Sequence, residues 1–284
     1  MPILDGFEYH RPGTFEEALE LLEKFKGRAA ILNGGTDLVV ELKDGRKKPD
    51  VVVDIKAIAG LDGITIEKGR ALIGAGVTFG AIIQSKELEK RLPLVVEAAR
   101  TVGSSGLRNR ATMVGNICSA VPCLDSGPVL LVLDADVIVR SRRGEHKIPV
   151  GRWFLGPRKT ALKPGELVTA VSIPFEKKIR GSCFMKLGRY AGEDLAQASV
   201  AIAAMRGAKY RIAFGAVGPV PLRAKKIEAF LAGKKISDKV LSGASGRVDR
   251  EISPITDIRA SKEYRLHMCR IMLERGLKKA VGLL

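Results

Sequence analysis

Residues 101–125, TVGSSGLRNRATMVGNICSAVPCLD, decide how the rest of this chain is read. They crowd Gly103, Ser104, Ser105, Gly106, Thr112, Gly115, Asn116 and Ser119 among few large apolar residues, directly after a helix-like segment at 93–100. Small residues let a backbone approach a ligand closely, and their free N–H groups can cradle phosphate. Upstream, the apolar run 29–32 opens into Asn33-Gly34-Gly35-Thr36-Asp37, a second turn of the same character. Singly, each is what a tight turn looks like. Together they read as two loops gripping one extended anionic ligand.

The chain has 284 residues, room for two domains or for a bilobed domain and a smaller one. It shows no basic leader ahead of an apolar core and no apolar run near ~18 residues. A cytoplasmic protein without a membrane span is therefore expected. Cys118, Cys123, Cys183 and Cys269 form no C-x-x-C pair. The spacing of Cys118 and Cys123 matches half of an iron–sulfur pattern, but no third cysteine follows two residues later, so buried thiols are expected. His10, His146 and His267 lie far apart, without metal-ligand spacing, and no metal is expected.

A net charge of +17 calls for an anionic counterpart, whether nucleic acid, acidic lipid or an acidic subunit. The basic residues are dispersed, from Arg46-Lys47-Lys48 to Lys278-Lys279, and only one Trp, four Tyr and nine Phe accompany them. A nucleic-acid groove would interleave aromatics for base stacking, so the dispersal favours a solvated basic surface.

In order, 1–12 read as an extended start. Thr14-Phe15-Glu16-Glu17 is a capping box that opens a helix, with Gly27 as its stop. A strand at 29–32, a helix over 37–43 and a β-branched strand at 51–55 complete a small βαβ-like unit. Strands follow at 64–66 and 71–75. Gly74-Ala75-Gly76-Val77-Thr78-Phe79-Gly80 nearly spells a dinucleotide fingerprint, but its third glycine comes one residue late and no acidic strand end follows. Strands are predicted at 129–133, 137–140, 147–150 and 167–173, and Pro174 with the charged stretch 176–180 marks a boundary. Beyond it come three antiparallel strands, 182–187, 198–205 and 210–217, and helices at 224–231 and 264–277. The fold expected is α+β: a two-lobed domain over 1–176, with lobes 1–55 and 56–176, then an α+β domain over 177–284.

No Ser-His-Asp or Cys-His set is visible, so the pattern suits a cofactor holder better than an acid–base enzyme. The segments N-G-G-T-D-L (33–38), I-G-A-G-V-T (73–78), the long central motif from Val102 to Asp125, and P-L-R-A (221–224) resemble the flavoprotein (medium) subunit of molybdenum hydroxylases. That family includes carbon monoxide dehydrogenase, xanthine dehydrogenase and aldehyde or nicotinate oxidoreductases. The resemblance runs in order along the whole chain.

It implies FAD as the cofactor. By similarity, Ile31, Leu32, Asn33, Gly34, Gly35, Thr36, Asp37 and Leu38 wrap the pyrophosphate, and Thr112, Met113, Val114, Gly115 and Asn116 form the second phosphate-facing loop. Asp125 hydrogen-bonds the cofactor, Val102 and Val168 line it, and Lys186 falls where the family has a lysine near the flavin ring. From its strand position alone, Lys186 is a solvated edge residue. The family writes two adjacent glycines before the asparagine, and here Val114 takes the first place. Should that position need positive φ or very close approach, Val114 weakens FAD binding.

The resemblance also implies partners. A molybdopterin large subunit oxidises substrate, an iron–sulfur small subunit relays electrons through [2Fe–2S] clusters, and this subunit hands them through FAD to an acceptor, either a small molecule or a protein. The competing readings are a free-standing flavin oxidoreductase of the same cofactor-binding superfamily and a basic nucleic-acid-binding module.

Overall fold

The computed structural model describes residues 2–3, 5–190 and 193–283. The chain opens with β1 (Glu8–His10), α1 (Phe15–Lys24), β2 (Ala29–Leu32), α2 (Leu38–Lys43) and β3 (Val51–Asp54). Thr14 caps α1 by accepting from Glu17 N, while Glu17 reaches back to Gly13 N. Gly27 breaks the helix at φ 76°. The three strands form a parallel sheet in the order β1-β3-β2. The extended start thus contributes an edge strand that its polar sequence, Glu8-Tyr9-His10, did not announce.

The next stretch holds β4 (Ile64–Glu67), β5 (Arg70–Gly74), α3 (Phe79–Gln84), α4 (Lys86–Arg91), α5 (Pro93–Arg100), α6 (Ser105–Arg108), α7 (Met113–Ser119) and α8 (Ser126–Val132). After them come β6 (Asp136–Ser141), β7 (Gly144–Pro149), the hairpin β8 (Phe154–Gly156) and β9 (Lys159–Thr160), and β10 (Leu167–Pro174). A five-stranded sheet runs β4-β5-β10-β6-β7. The dinucleotide-like run 74–80 is the end of β5, a turn, and Thr78 capping α3.

Residues 129–133 were expected as a strand and are instead most of α8 and its C-cap. Every residue of α8 is buried, so the segment has no polar face and no helical period to read. Ser126-Gly127-Pro128 at its start supplies a proline where the first helical turn needs no donor.

The remainder is β11 (Ile179–Leu187), β12 (Ala198–Met205), β13 (Lys209–Gly215), β14 (Leu222–Arg223), α9 (Lys225–Leu231), α10 (Asp238–Ser245) and α11 (Lys262–Ala280). The three expected antiparallel strands are joined by the two-residue β14. This sheet is covered on both faces. Phe184, Ala201 and Ala213 join the main core, while Cys183, Val200, Ile202, Ile212 and Phe214 pack under the C-terminal helices. The buried stripe of α11 runs through Arg265, Cys269, Met272, Leu273 and Gly276, and Tyr264 lies exposed outside it.

Candidate functional site

β2 delivers the chain into the first loop. Gly35 sits at φ 76°, which favours glycine, and a methyl on Gly34 would run into Arg110 O. The two loops therefore touch backbone to backbone. Asn33 Nδ2 adds hydrogen bonds to Ala75 O at 2.6 Å and to Thr112 Oγ1 at 3.0 Å. Asp37 Oδ2 accepts from Ser119 Oγ at 2.6 Å. Lys56 Nζ reaches Asn33 O at 3.4 Å and pairs with Asp54 at 2.7 Å, behind the loop. Burial opposes ionisation of Asp54, but hydrogen bonds from Lys56 and Tyr9 outweigh it and hold the carboxyl below its usual range.

Thr112 caps α7: its Oγ1 accepts Gly115 N at 2.9 Å, and a Cβ at Gly115 would crowd that same oxygen. Arg108 fixes the approach to this loop by donating to the carbonyls of Val102 and Gly103. Asn116 Oδ1 accepts Ser126 N at 3.3 Å, coupling α7 to the start of α8. Val114 is a buried residue of α7 and is not among the positive-φ positions, so its backbone asks for no glycine.

Between the loops lies a cleft of about 900 Å³. Ile31, Asn33, Gly34, Gly35, Thr36, Asp37 and Leu38 line it, as do Val102, Thr112, Val114, Gly115, Asn116, Asp125, Val168 and Lys186. Leu32 and Met113 are absent from the lining: Leu32 packs with Ala30 and Leu42 behind the loop, and Met113 is buried in the main core. Sequence reading missed Arg46, Lys47, Arg158 and Lys163, which also line the cleft. Arg158 stands at φ 58° between β8 and β9 and pairs with Glu41 of α2, a contact no local pattern announces.

Lys186 is no solvated edge residue. Its side chain is 8% exposed, and its Nζ bonds Thr101 O at 2.9 Å and Asp125 Oδ2 at 2.8 Å. Strand alternation turns it to the same face as Phe184, toward the main core. Burial pushes Asp125 up to about 6 against the pull of Lys186. Asp125 Oδ1 is buried without a partner among the described residues.

These features suit a long ligand with a polar, anionic middle: apolar walls at Ile31, Val102 and Val168, two backbone loops closing around the centre, and an unused buried acceptor at one end. FAD has that chemistry, and the residues present fit it. Burial disfavours the thiolate form of both cysteines that line the cleft. Burial pushes Cys118 up to about 12, and burial raises Cys123 although Arg259 opposes it. No helix among the described residues is long and apolar enough to cross a membrane.

Residues 5–176 match the family described as the FAD binding domain in molybdopterin dehydrogenase, and residues 182–280 match the CO dehydrogenase flavoprotein C-terminal domain. The chain is 30% identical to the xanthine dehydrogenase FAD-binding subunit of Escherichia coli O157:H7, over 99% of this chain and 98% of that one. It is 31% identical to the glyceraldehyde dehydrogenase medium chain of Sulfolobus acidocaldarius, over 96% and 98%. A solved structure of carbon monoxide dehydrogenase from Hydrogenophaga pseudoflava superposes with a TM-score of 0.95 at 30% identity, covering 100% of this chain and 99% of that one. With the cleft between its two glycine loops, the chain belongs to the FAD-binding flavoprotein subunits of molybdopterin dehydrogenases, the family of the carbon monoxide and xanthine dehydrogenase medium subunits.

Proposed function

We propose that this chain is the electron-transferring flavoprotein subunit of a cytoplasmic molybdenum hydroxylase complex. It takes electrons from the [2Fe–2S] clusters of a small subunit, supplied by a molybdopterin large subunit, and passes them to an external acceptor. FAD, when bound, supplies the redox centre, and the protein's part is to hold and orient it. A two-lobed FAD-binding domain then occupies 1–176 and a C-terminal domain 177–284.

The observation that carries this reading is the meeting of two loops, far apart in sequence, across one cleft that ends in the buried Lys186–Asp125 pair. In it, the backbones of Asn33, Gly34, Gly35, Thr36 and Asp37 and of Val114, Gly115 and Asn116 hold the pyrophosphate. Ile31, Leu38, Val102 and Val168 supply apolar wall, and Lys186 and Asp125 meet the ring end. Thr112 acts mainly by capping α7 and anchoring Asn33.

A visible-absorbance titration of the purified chain with FAD tests the binding. Two protein-shifted flavin bands and a one-to-one end point are expected. The isolated chain should show no substrate hydroxylation, and efficient hydroxylation by the chain alone would overturn the assignment. Absence of flavin uptake, both alone and with the partner subunits present, would overturn the site.

A further inference from the structure

Pro221-Leu222-Arg223-Ala224 carries β14 into α9, and its contacts converge on α8. A Cβ at Gly127, in the first turn of α8, would come within 2.7 Å of Pro221 Cγ. A Cβ at Gly215, on β13, would come within 2.7 Å of Pro128 Cγ. Helix and sheet are thus at closest approach, and Ala216 N adds a hydrogen bond to Pro122 O at 3.0 Å.

The other end of α8 is gripped by two guanidinium groups. Arg223 Nη1 donates to Leu131 O at 3.1 Å and Arg211 Nη1 to Val132 O at 3.2 Å, both last-turn carbonyls at the negative end of the helix. Arg223 is itself held in a fork, Nε to Glu228 Oε1 at 2.6 Å and Nη2 to Oε2 at 2.9 Å. Glu228 Oε1 also accepts Ile212 N at 2.8 Å, which ties the fork to β13. Asp134 pairs with both arginines.

Asp125 is the N-cap of this helix, and Lys186 stands on β11 of the sheet that holds it. Both members of the buried pair therefore take their positions from one frame. The grip lies about 10 Å along the helix from Asp125, at ~1.5 Å per residue, and touches neither Asp125 nor Lys186.

From these contacts we infer that Arg223 is a positioning residue for the flavin site, clamping α8 to the C-terminal sheet so that Asp125 is held opposite Lys186. The inference rests on the proposed role of Asp125 and Lys186 in meeting FAD. A lysine cannot make the Glu228 fork and the Leu131 carbonyl bond together, so Arg223→Lys restores only part of the effect.

The test is a double-mutant cycle on the full chain, reading FAD affinity and the visible flavin bands, with folding checked by circular dichroism. Arg223→Met should weaken FAD binding about tenfold in the native background but less than about twofold in Asp125→Asn, because coupled residues are non-additive. Equal weakening in both backgrounds, or none in a folded protein, overturns the positioning role. An Asp125→Asn chain with unchanged FAD affinity and flavin bands instead overturns Asp125 as a cofactor contact, and the positioning role with it. Should Arg223→Met fail to fold, Arg211→Met carries the same cycle, since it removes a grip on the same helix end and leaves the Glu228 fork intact.

Discussion

Lys186 Nζ stands 2.8 Å from Asp125 Oδ2, with both side chains more than nine-tenths buried at the end of the cleft. Replacing Lys186 by Met leaves Asp125 without its countercharge, and breaking such a pair costs about 3–5 kcal/mol. Asp125 already titrates high, near 6, so the fold favours its neutral form, and its contribution to stability falls as pH rises from about 4 to about 6. In Lys186→Met that loss should extend to higher pH. Urea unfolding at pH 5 and pH 8 should show the variant's deficit mainly at pH 8, and equal deficits would contradict the account.

Thr112→Ala removes the α7 cap and one of Asn33's two acceptors. A loss of about 1–2 kcal/mol is expected, together with weaker FAD uptake. Thr112→Ser, which keeps the oxygen, should retain most of both. Thermal melts and flavin titration of the two variants side by side decide it.

Val114→Gly restores the family's paired glycines, but position 114 is helical and its side chain is buried. The change should cost about 1–2 kcal/mol through lost burial and helix entropy, without tightening FAD binding. A severalfold gain in FAD affinity would show that close approach at this position had been obstructed.

Asp257 and Arg265 lock α11 to the sheet. Arg265, 4% exposed, donates to Gln197 O, Ala216 O and Asp257 Oδ1. Burial works against the Asp257 charge, but N–H bonds from Arg259 and Ala260 and the Arg265 guanidinium outweigh it and lower the carboxyl to about 2. A depressed carboxylate stabilises above its unfolded value near 4, and that stability disappears as pH falls from about 4 to about 2. Asp257→Asn should lower stability at neutral pH and flatten the acid limb over that window, as read by unfolding midpoints against pH.

The first glycine loop was legible because turn chemistry is local: Asn33-Gly34-Gly35 announces a tight turn without reference to the rest of the chain, whereas 112–116, expected as a loop, is the capped first turn of α7. Segment 126–132 was not legible, since burial on all sides erases the polar face that would separate helix from strand. Leu32 and Met113 were placed in the site by their position in motifs. Strand alternation and helix rotation send them to the core instead. Arg158 and Lys163 reach the cleft from a distant hairpin and turn, and only tertiary packing could reveal them. The burial of Lys186 depended likewise on α8 lying against its sheet.

The absent side chain of Gly34 has a consequence for how a ligand enters. Contact between residue 34 and the Arg110 carbonyl works like the stop on a caliper: the jaws are set by chain meeting chain, before anything lies between them. A cofactor arriving in such an opening diverts no binding energy to drawing the loops together. Gly34→Ala would push the stop outward, so it should slow and weaken flavin uptake although it removes no atom that a ligand touches.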